Sequence, residues 1–153
     1  MEAGAMTTPS ETNTYELQRF VDAQSAVYPQ VVSELSAGRK RTHWMWFIFP
    51  QIVGLGSSPM GQRYAISSKK EAQAYLAHNV FSPRLLECSR LVMAASEKLI
   101  NDISGSPDDM KFRSSMTIFD AVSKLEIFAE AIGIFYPEGK DASTLKILRT
   151  LSA

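Results

Sequence analysis

Apolar residues recur along this chain at spacings of three and four, which is the repeat of an α-helix with one buried face. No window alternates between apolar and polar residues with the period of two that a half-buried strand requires. We therefore predict an all-α fold, a single compact domain of about six to eight helices without a sheet. The clearest stretch follows Pro83, where one helix face carries Leu85, Cys88, Val92, Ala95 and Leu99.

Prolines, glycines and capping residues mark the expected ends of the helices. Pro29 is expected to split the first helical run in two, and Gly38 to end it. A capping box that begins at Ser68 predicts a helix to about His78, and Pro83 is expected to open the next helix. We also expect a helix over residues 43–49, loops over 51–63 and 101–106, a helix start at Ser106-Pro107, one long helix over 115–136, and a last helix capped by Asp141 or Ser143.

Length and charge limit the number of domains and the kinds of binding partner. A chain of 153 residues fits one domain, and we expect residues 1–13 to be a disordered tail and residues 14–153 one helical domain. Sixteen basic and sixteen acidic residues cancel, which argues against a nucleic-acid partner. The longest apolar run, residues 44–49, is too short to span a membrane, and the start of the chain lacks the pattern of a signal peptide. We therefore expect no membrane partner and a cytoplasmic location.

The segment from His43 to Gln51 has the richest chemistry in the chain. His43 stands beside Trp44 and Trp46 and just after a basic stretch that includes Lys40. A histidine can act as a general acid or base near neutral pH, while aromatic rings and cations together suit an anionic, ring-containing ligand. The alternative is a buried helix start with a core histidine and core tryptophans, since aromatic runs usually build cores.

Two further segments carry polar groups that can meet an anion. The glycine-rich stretch at residues 54–58 could expose backbone amides, although it matches neither a Walker loop nor a dinucleotide fingerprint and is more typical of a connector. Lys111 with Ser114 and Ser115 could bind an oxyanion, or the hydroxyls could simply cap a helix. The spacing of the histidines, acids and Cys88 suggests no metal site, and we expect Cys88 to be an inert buried thiol.

The sequence also resembles the domain-of-unknown-function family 1810 from Tyr15 to about Leu151. The resemblance implies an all-helical, armadillo-like domain or orthogonal bundle and carries no assigned activity. The family usually has a proline after the histidine at position 78, where this chain has Asn79. The matching motifs are Lys40, HWMWFIFPQ at 43–51, Gly54-Leu55-Gly56, Ser58, Tyr64-Ala65-Ile66, Glu71-Ala72, residues 74–78, Arg84-Leu85, Asp109, Lys111-Phe112, residues 114–117, Phe119, Phe128, Tyr136, Gly139, Asp141 and Thr144-Leu145.

These features support two hypotheses about function. In the first, the domain binds a small anionic or nucleotide-like ligand in a cleft, with His43 as the catalytic residue if it is an enzyme; no cofactor is indicated. Its binding residues would be Lys40, Trp44, Gln51, Ser58, Tyr64, Lys111, Ser114 and Ser115, with Trp46 beside Trp44 in the floor. In the second, the domain is a non-catalytic adaptor for a protein partner. We further expect a buried core of Phe20, Trp46, Phe47, Leu85, Cys88, Val92, Phe119, Val122, Phe128 and Ile132.

Overall fold

The computed structural model describes residues 16–55, 58–78, 80–105 and 108–151. Within these ranges the regular structure is helical, apart from one isolated parallel bridge between Ile52 and Ile66. The expected all-α fold is confirmed, and the expected tail falls outside the described residues. The nine helices of the described ranges are α1 (Gln18–Ser36), α2 (Met45–Ile48), α3 (Pro59–Arg63), α4 (Lys69–Ala77), α5 (Phe81–Ala94), α6 (Ile100–Ser104), α7 (Asp108–Val122), α8 (Ile127–Phe135) and α9 (Ala142–Leu151).

The first helix is continuous, so the expected break at Pro29 is wrong. Pro29 lies inside α1 and removes one backbone donor, but the helix buries Phe20, Val31 and Leu35 on both sides of it. Packing of this face against α5 outweighs the lost hydrogen bond. The expected stop at Gly38 is confirmed: its φ is +77°, and its N–H donates to the Leu35 carbonyl at 2.9 Å.

Short helices occupy part of one expected longer helix and parts of two expected loops. The helix expected over residues 43–49 spans only Met45–Ile48. The loop expected over 51–63 ends in α3, because the Ser58 hydroxyl accepts from the Gly61 N–H at 3.0 Å and caps that helix. The loop expected over 101–106 is helical as far as Ser104.

The expected caps are largely present. The Ser68 hydroxyl accepts from the Glu71 N–H at 3.0 Å, while the Glu71 carboxylate reaches back to Ser67 rather than to Ser68. The next helix begins at Phe81, two residues before Pro83. Asp141 caps the last helix by accepting from the Thr144 N–H at 2.9 Å.

The long helix expected over residues 115–136 is two helices. The chain leaves α7 after Val122, the Ser123 hydroxyl accepts from the Leu125 N–H at 2.9 Å, and α8 begins at Ile127. The first of the two begins at Asp108, well before the expected start at Ser115. The proposed start signal at Ser106-Pro107 lies outside the described residues.

Aromatic rings from α1, α4, α5, α7 and α8 meet in the core. The Tyr75 ring stacks on Phe81 with centroids 4.8 Å apart and lies 5.4 Å from Phe119. Eight of the ten residues expected in the core are buried, whereas Trp46 and Val122 are half-buried at its edge. None of the described helices is both long enough and apolar enough to cross a membrane.

Candidate functional site

Two lysines from distant parts of the chain meet at one carboxylate. The Asp108 side chain lies 2.8 Å from the Lys40 ammonium and 3.2 Å from the Lys111 ammonium. All three side chains are largely buried, with 17%, 7% and 19% of their surface exposed for Asp108, Lys40 and Lys111. Two positive charges therefore share a single negative charge in a partly desolvated place, which leaves the group electropositive.

Each of these lysines also lies over a tryptophan ring. The Lys40 ammonium is 5.2 Å from the Trp44 ring centroid, and the Lys111 ammonium is 5.1 Å from the Trp46 ring centroid. Both distances are within the range of a cation–π interaction. The fold thus brings Lys111 to the aromatic segment. We refer to Lys40, Trp44, Trp46, Asp108 and Lys111 as the lysine–tryptophan cluster.

A buried acid on α1 binds the link between α1 and α2, which carries Lys40 and Trp44. The Glu34 carboxylate, 3% exposed, accepts from the backbone N–H groups of Arg41 and Thr42 at 2.7 and 3.0 Å. It also accepts from the Trp44 indole N–H at 2.9 Å. Burial alone would raise the pKa of Glu34, but the hydrogen bonds from Thr42, Arg41 and Gln30 outweigh it and lower the pKa to about 2. Glu34 is thus an anion that fixes the path of the link.

A surface pocket of about 580 Å³ opens beside Lys40. Three of its lining residues are cations, Arg39, Lys40 and Lys98, and one is an acid, Asp102. The Lys98 ammonium donates to the Gly38 carbonyl at 3.1 Å, so it is held at the pocket's edge. The remaining lining comes from α6 and the residues flanking it: Asn101, Ile103, Ser104 and Gly105.

Two buried polar atoms near the cluster have no hydrogen-bond partner among the described residues: the Trp46 indole nitrogen and the Ser115 hydroxyl. Helical geometry places Asp108, Lys111 and Ser115 on one face of α7, since they are spaced by three and four. Ser115 therefore continues the stripe of α7 that meets the cluster. Unsatisfied buried donors are rare and usually indicate a water or ligand atom, so this side of α7 has unused hydrogen-bonding capacity.

The structure separates His43 from the pocket. His43 is exposed and does not belong to the pocket lining. Trp44 is 1% exposed, and its indole N–H is used by Glu34, so in this conformation it offers no floor to a ligand. Of the two tryptophans, the half-buried Trp46 retains surface.

Several other predicted binding residues have structural partners. Gln51 is half-buried, and its backbone carbonyl accepts from Ile66 at 2.8 Å. Ser58 caps α3, and Tyr64 is buried with its ring 5.7 Å from Phe20. Ser114 donates to the Met110 carbonyl at 3.1 Å inside α7. Because α7 begins at Asp108, Ser114 and Ser115 are internal helix positions rather than a helix start.

Cys88 shows no features of a nucleophile. The side chain is fully buried, and burial raises the pKa of its thiol to about 12. Within the described ranges, no three His, Cys, Asp or Glu side chains form a group that could hold a metal ion.

Sequence reasoning missed three residues of this region. Asp108 follows the expected helix start at Ser106-Pro107, where an acid is ordinarily favoured by the helix dipole, yet it bridges two lysines. Glu34 lies three residues after Val31 and next to Leu35, and an acid on an otherwise apolar face was an available signal. Lys98 had no distinguishing pattern, because its place in the pocket depends on how the turn after α5 folds.

Comparisons with known proteins agree with the fold and assign no activity. The chain is similar to the crystal structure of the conserved hypothetical protein Rv1873 from Mycobacterium tuberculosis, with 50% sequence identity and a TM-score of 0.87. The match covers 89% of this chain and 98% of that one. No curated protein matches the chain. The profile of the family described as "Protein of unknown function (DUF1810)" matches residues 14–148, and the chain belongs to this family.

Proposed function

We propose that this domain binds a small anionic molecule in the pocket that is lined by Lys40, one member of the lysine–tryptophan cluster. One observation carries the proposal. Lys40 lines the pocket, is almost wholly buried, and competes with Lys111 for the single carboxylate of Asp108. A partly desolvated cation without a carboxylate of its own attracts a ligand anion more strongly than a solvated surface lysine does.

The rest of the pocket lining supports an anion rather than a neutral ligand. Arg39 and Lys98 add two cations to the lining, and Asp102 is its one acid. Arg39 is exposed and can offer its guanidinium fork to a phosphate or carboxylate. Asn101 and Ser104 add neutral polar groups that can accept or donate hydrogen bonds. We therefore expect phosphate- or carboxylate-bearing metabolites to bind, including nucleotides.

A nucleotide-like ligand would also need an aromatic surface. Trp46 is the candidate: it is not among the pocket's lining residues, but it is half-buried and belongs to the cluster that includes Lys40. The Lys111 ammonium lies over this ring, so a base would have to displace it. His43 remains a candidate general acid or base in this proposal, because it is exposed and lies next to Trp44 of the cluster. Binding itself does not require it.

A thermal-shift screen tests the binding. Wild-type protein is melted with inorganic phosphate, nucleoside mono- and diphosphates and small dicarboxylates, at matched ionic strength. A ligand that binds the folded state raises the melting temperature by mass action. The shift should shrink in Lys98→Gln and remain in Lys124→Gln, which removes an exposed lysine outside the pocket lining. An equal shift in both variants, or no shift with any probe, contradicts the proposal.

A protein adaptor is the second candidate, supported by a groove between α5 and α8 that both apolar and charged residues line. The groove has a volume of about 460 Å³ and includes Ile134, which is 44% exposed, together with Met93 and Ile127. Exposed apolar surface of this kind occurs at protein interfaces. Substitution distinguishes the two functions: Ile134→Ser should weaken an adaptor's binding of its partner and leave anion stabilisation unchanged, whereas Lys98→Gln should do the reverse.

A further inference from the structure

A cation on α5 is half-buried and has no carboxylate partner among the described residues. Arg84, on α5, has its guanidinium carbon 4.8 Å from the Tyr28 ring centroid, and one of its N–H groups donates to the Gln24 side-chain oxygen at 3.2 Å. No carboxylate of the described residues lies within salt-bridge distance of it, although the described chain pairs four other cations with acids. A guanidinium has five N–H donors, so most of its fork is unused.

The nearest acid along α5 is engaged elsewhere. Glu87 follows Arg84 by one helical turn, but its carboxylate accepts a short hydrogen bond from the Tyr28 hydroxyl. The Cys88 thiol donates to the same hydroxyl at 3.9 Å. The Tyr28 hydroxyl therefore engages Glu87, while the face of the Tyr28 ring contacts the Arg84 guanidinium.

His78 supplies a second donor on the side of α5 that carries Arg84, because its ring stacks on Phe81, one helical turn before Arg84. The side chain is 9% exposed and stacks on Phe81, with ring centroids 4.1 Å apart. Its Nδ1 accepts from the Val80 N–H at 3.0 Å, which places the proton of the neutral ring on Nε2. Burial and the positive charge of Arg84 both lower the pKa of His78, so the neutral form predominates at neutral pH.

We infer that Arg84 and His78 form a binding site for one carboxylate group at the corner where α4 and α5 meet α1. The guanidinium fork would receive the carboxylate oxygens, and the His78 Nε2–H would donate to one of them. A single cation suits a monoanion, and the nearby charge of Glu87 disfavours a doubly charged phosphate. This site is separate from the pocket beside Lys40 and does not depend on the proposed function.

An NMR titration tests the inference on the intact chain. Acetate and inorganic phosphate are added separately at pH 7.5, with chloride at the same ionic strength as reference, and the Arg84 side-chain N–H and His78 ring signals are followed. We expect saturable shifts with acetate and weaker ones with phosphate. Shifts no larger than those with chloride, or tighter binding of phosphate than of acetate, would overturn the assignment.

Variants of Arg84 localise the effect. Arg84→Gln should abolish the His78 shifts with acetate, while Arg90→Gln, which changes an exposed arginine on the same helix, should preserve them. Arg84→Lys keeps the charge over Tyr28 and should reduce the affinity several-fold, because a lysine lacks the fork. It provides a folded comparison if Arg84→Gln does not fold. Unchanged affinity in Arg84→Lys and in any folded Arg84→Gln would contradict the site.

A peptide distinguishes the two sources of a carboxylate. A short acetylated peptide with a free C-terminus is titrated beside its amidated form. Tighter binding of the free peptide than of acetate would identify a protein terminus as the ligand, and equal or weaker binding would identify a small acid. In either case the amidated peptide should leave the Arg84 and His78 signals unshifted, and comparable shifts with it would overturn the carboxylate assignment.

Discussion

The Lys40 ammonium lies 2.8 Å from the Asp108 carboxylate, and this ion pair joins the link after α1 to the first residue of α7. The Lys40 backbone N–H also donates to the Ile103 carbonyl. The backbone of Lys40 is therefore bound to α6 and its side chain to the start of α7. These contacts fix Lys40 against Ile103, and both residues line the pocket.

Removing the shared carboxylate should destabilise the fold. In Asp108→Asn, two largely buried ammonium groups lose their counter-charge, which we expect to cost about 1–3 kcal/mol in the free energy of unfolding. Urea unfolding measures the change, with Glu138→Gln, an exposed acid outside the pocket lining, as control. Added phosphate should stabilise Asp108→Asn more than wild type, because an external anion then meets both lysines. A variant as stable as wild type would show that the ion pairs contribute little.

The lowered pKa of Glu34 predicts a loss of stability in acid. Glu34 titrates at about 2 in the folded protein against an ordinary 4.5, so the unfolded chain takes up the proton first as the pH falls. Its contribution, on the order of 3 kcal/mol, is complete above pH 4.5 and declines between pH 4.5 and 2. Urea unfolding across this range should show a steeper decline for wild type than for Glu34→Gln. Parallel profiles would refute the assignment.

Truncation of Phe119 tests the aromatic core. Its side chain is fully buried, with ring centroids 5.4 Å from Tyr75 and 5.8 Å from Phe128. Phe119→Ala should lower the free energy of unfolding by about 3–5 kcal/mol, because it leaves a cavity between three helices. Leu125→Ala, at a residue 47% exposed, should change it by far less. Equal losses in the two variants would be incompatible with this packing.

Two glycines should respond to alanine with opposite signs. Gly38 has a φ of +77°, and a Cβ there would lie 3.0 Å from the Lys98 ammonium, so Gly38→Ala should destabilise by roughly 1 kcal/mol or more. Gly133 lies inside α8 with open space around it, so Gly133→Ala should stabilise by roughly 0.5–1 kcal/mol. Thermal unfolding measures both. A loss of stability in Gly133→Ala would contradict its open helical setting.

The sequence by itself determined the fold class, because helical periodicity is a local property of apolar spacing. It also indicated ends that depend on neighbouring residues, such as the stop at Gly38 and a cap at Asp141 or Ser143, of which the structure uses Asp141. It misjudged Pro29 and the break after Val122, since the energy of packing against other helices decides whether a helix continues through a weak point.

The candidate site was decided by tertiary structure. The types of residue were recognisable, and Lys40, Trp46 and Lys111 were among those expected at a ligand. The local sequence did not show which of these residues would meet. Lys98 and Asp108 lie on either side of α6 in the chain, so their positions depend on how that helix packs. Burial also could not be predicted from neighbouring residues. Trp44 is buried and its indole N–H donates to Glu34, whereas the adjacent His43 is exposed. A side chain's exposure depends on what packs over it, and that is a property of the whole fold.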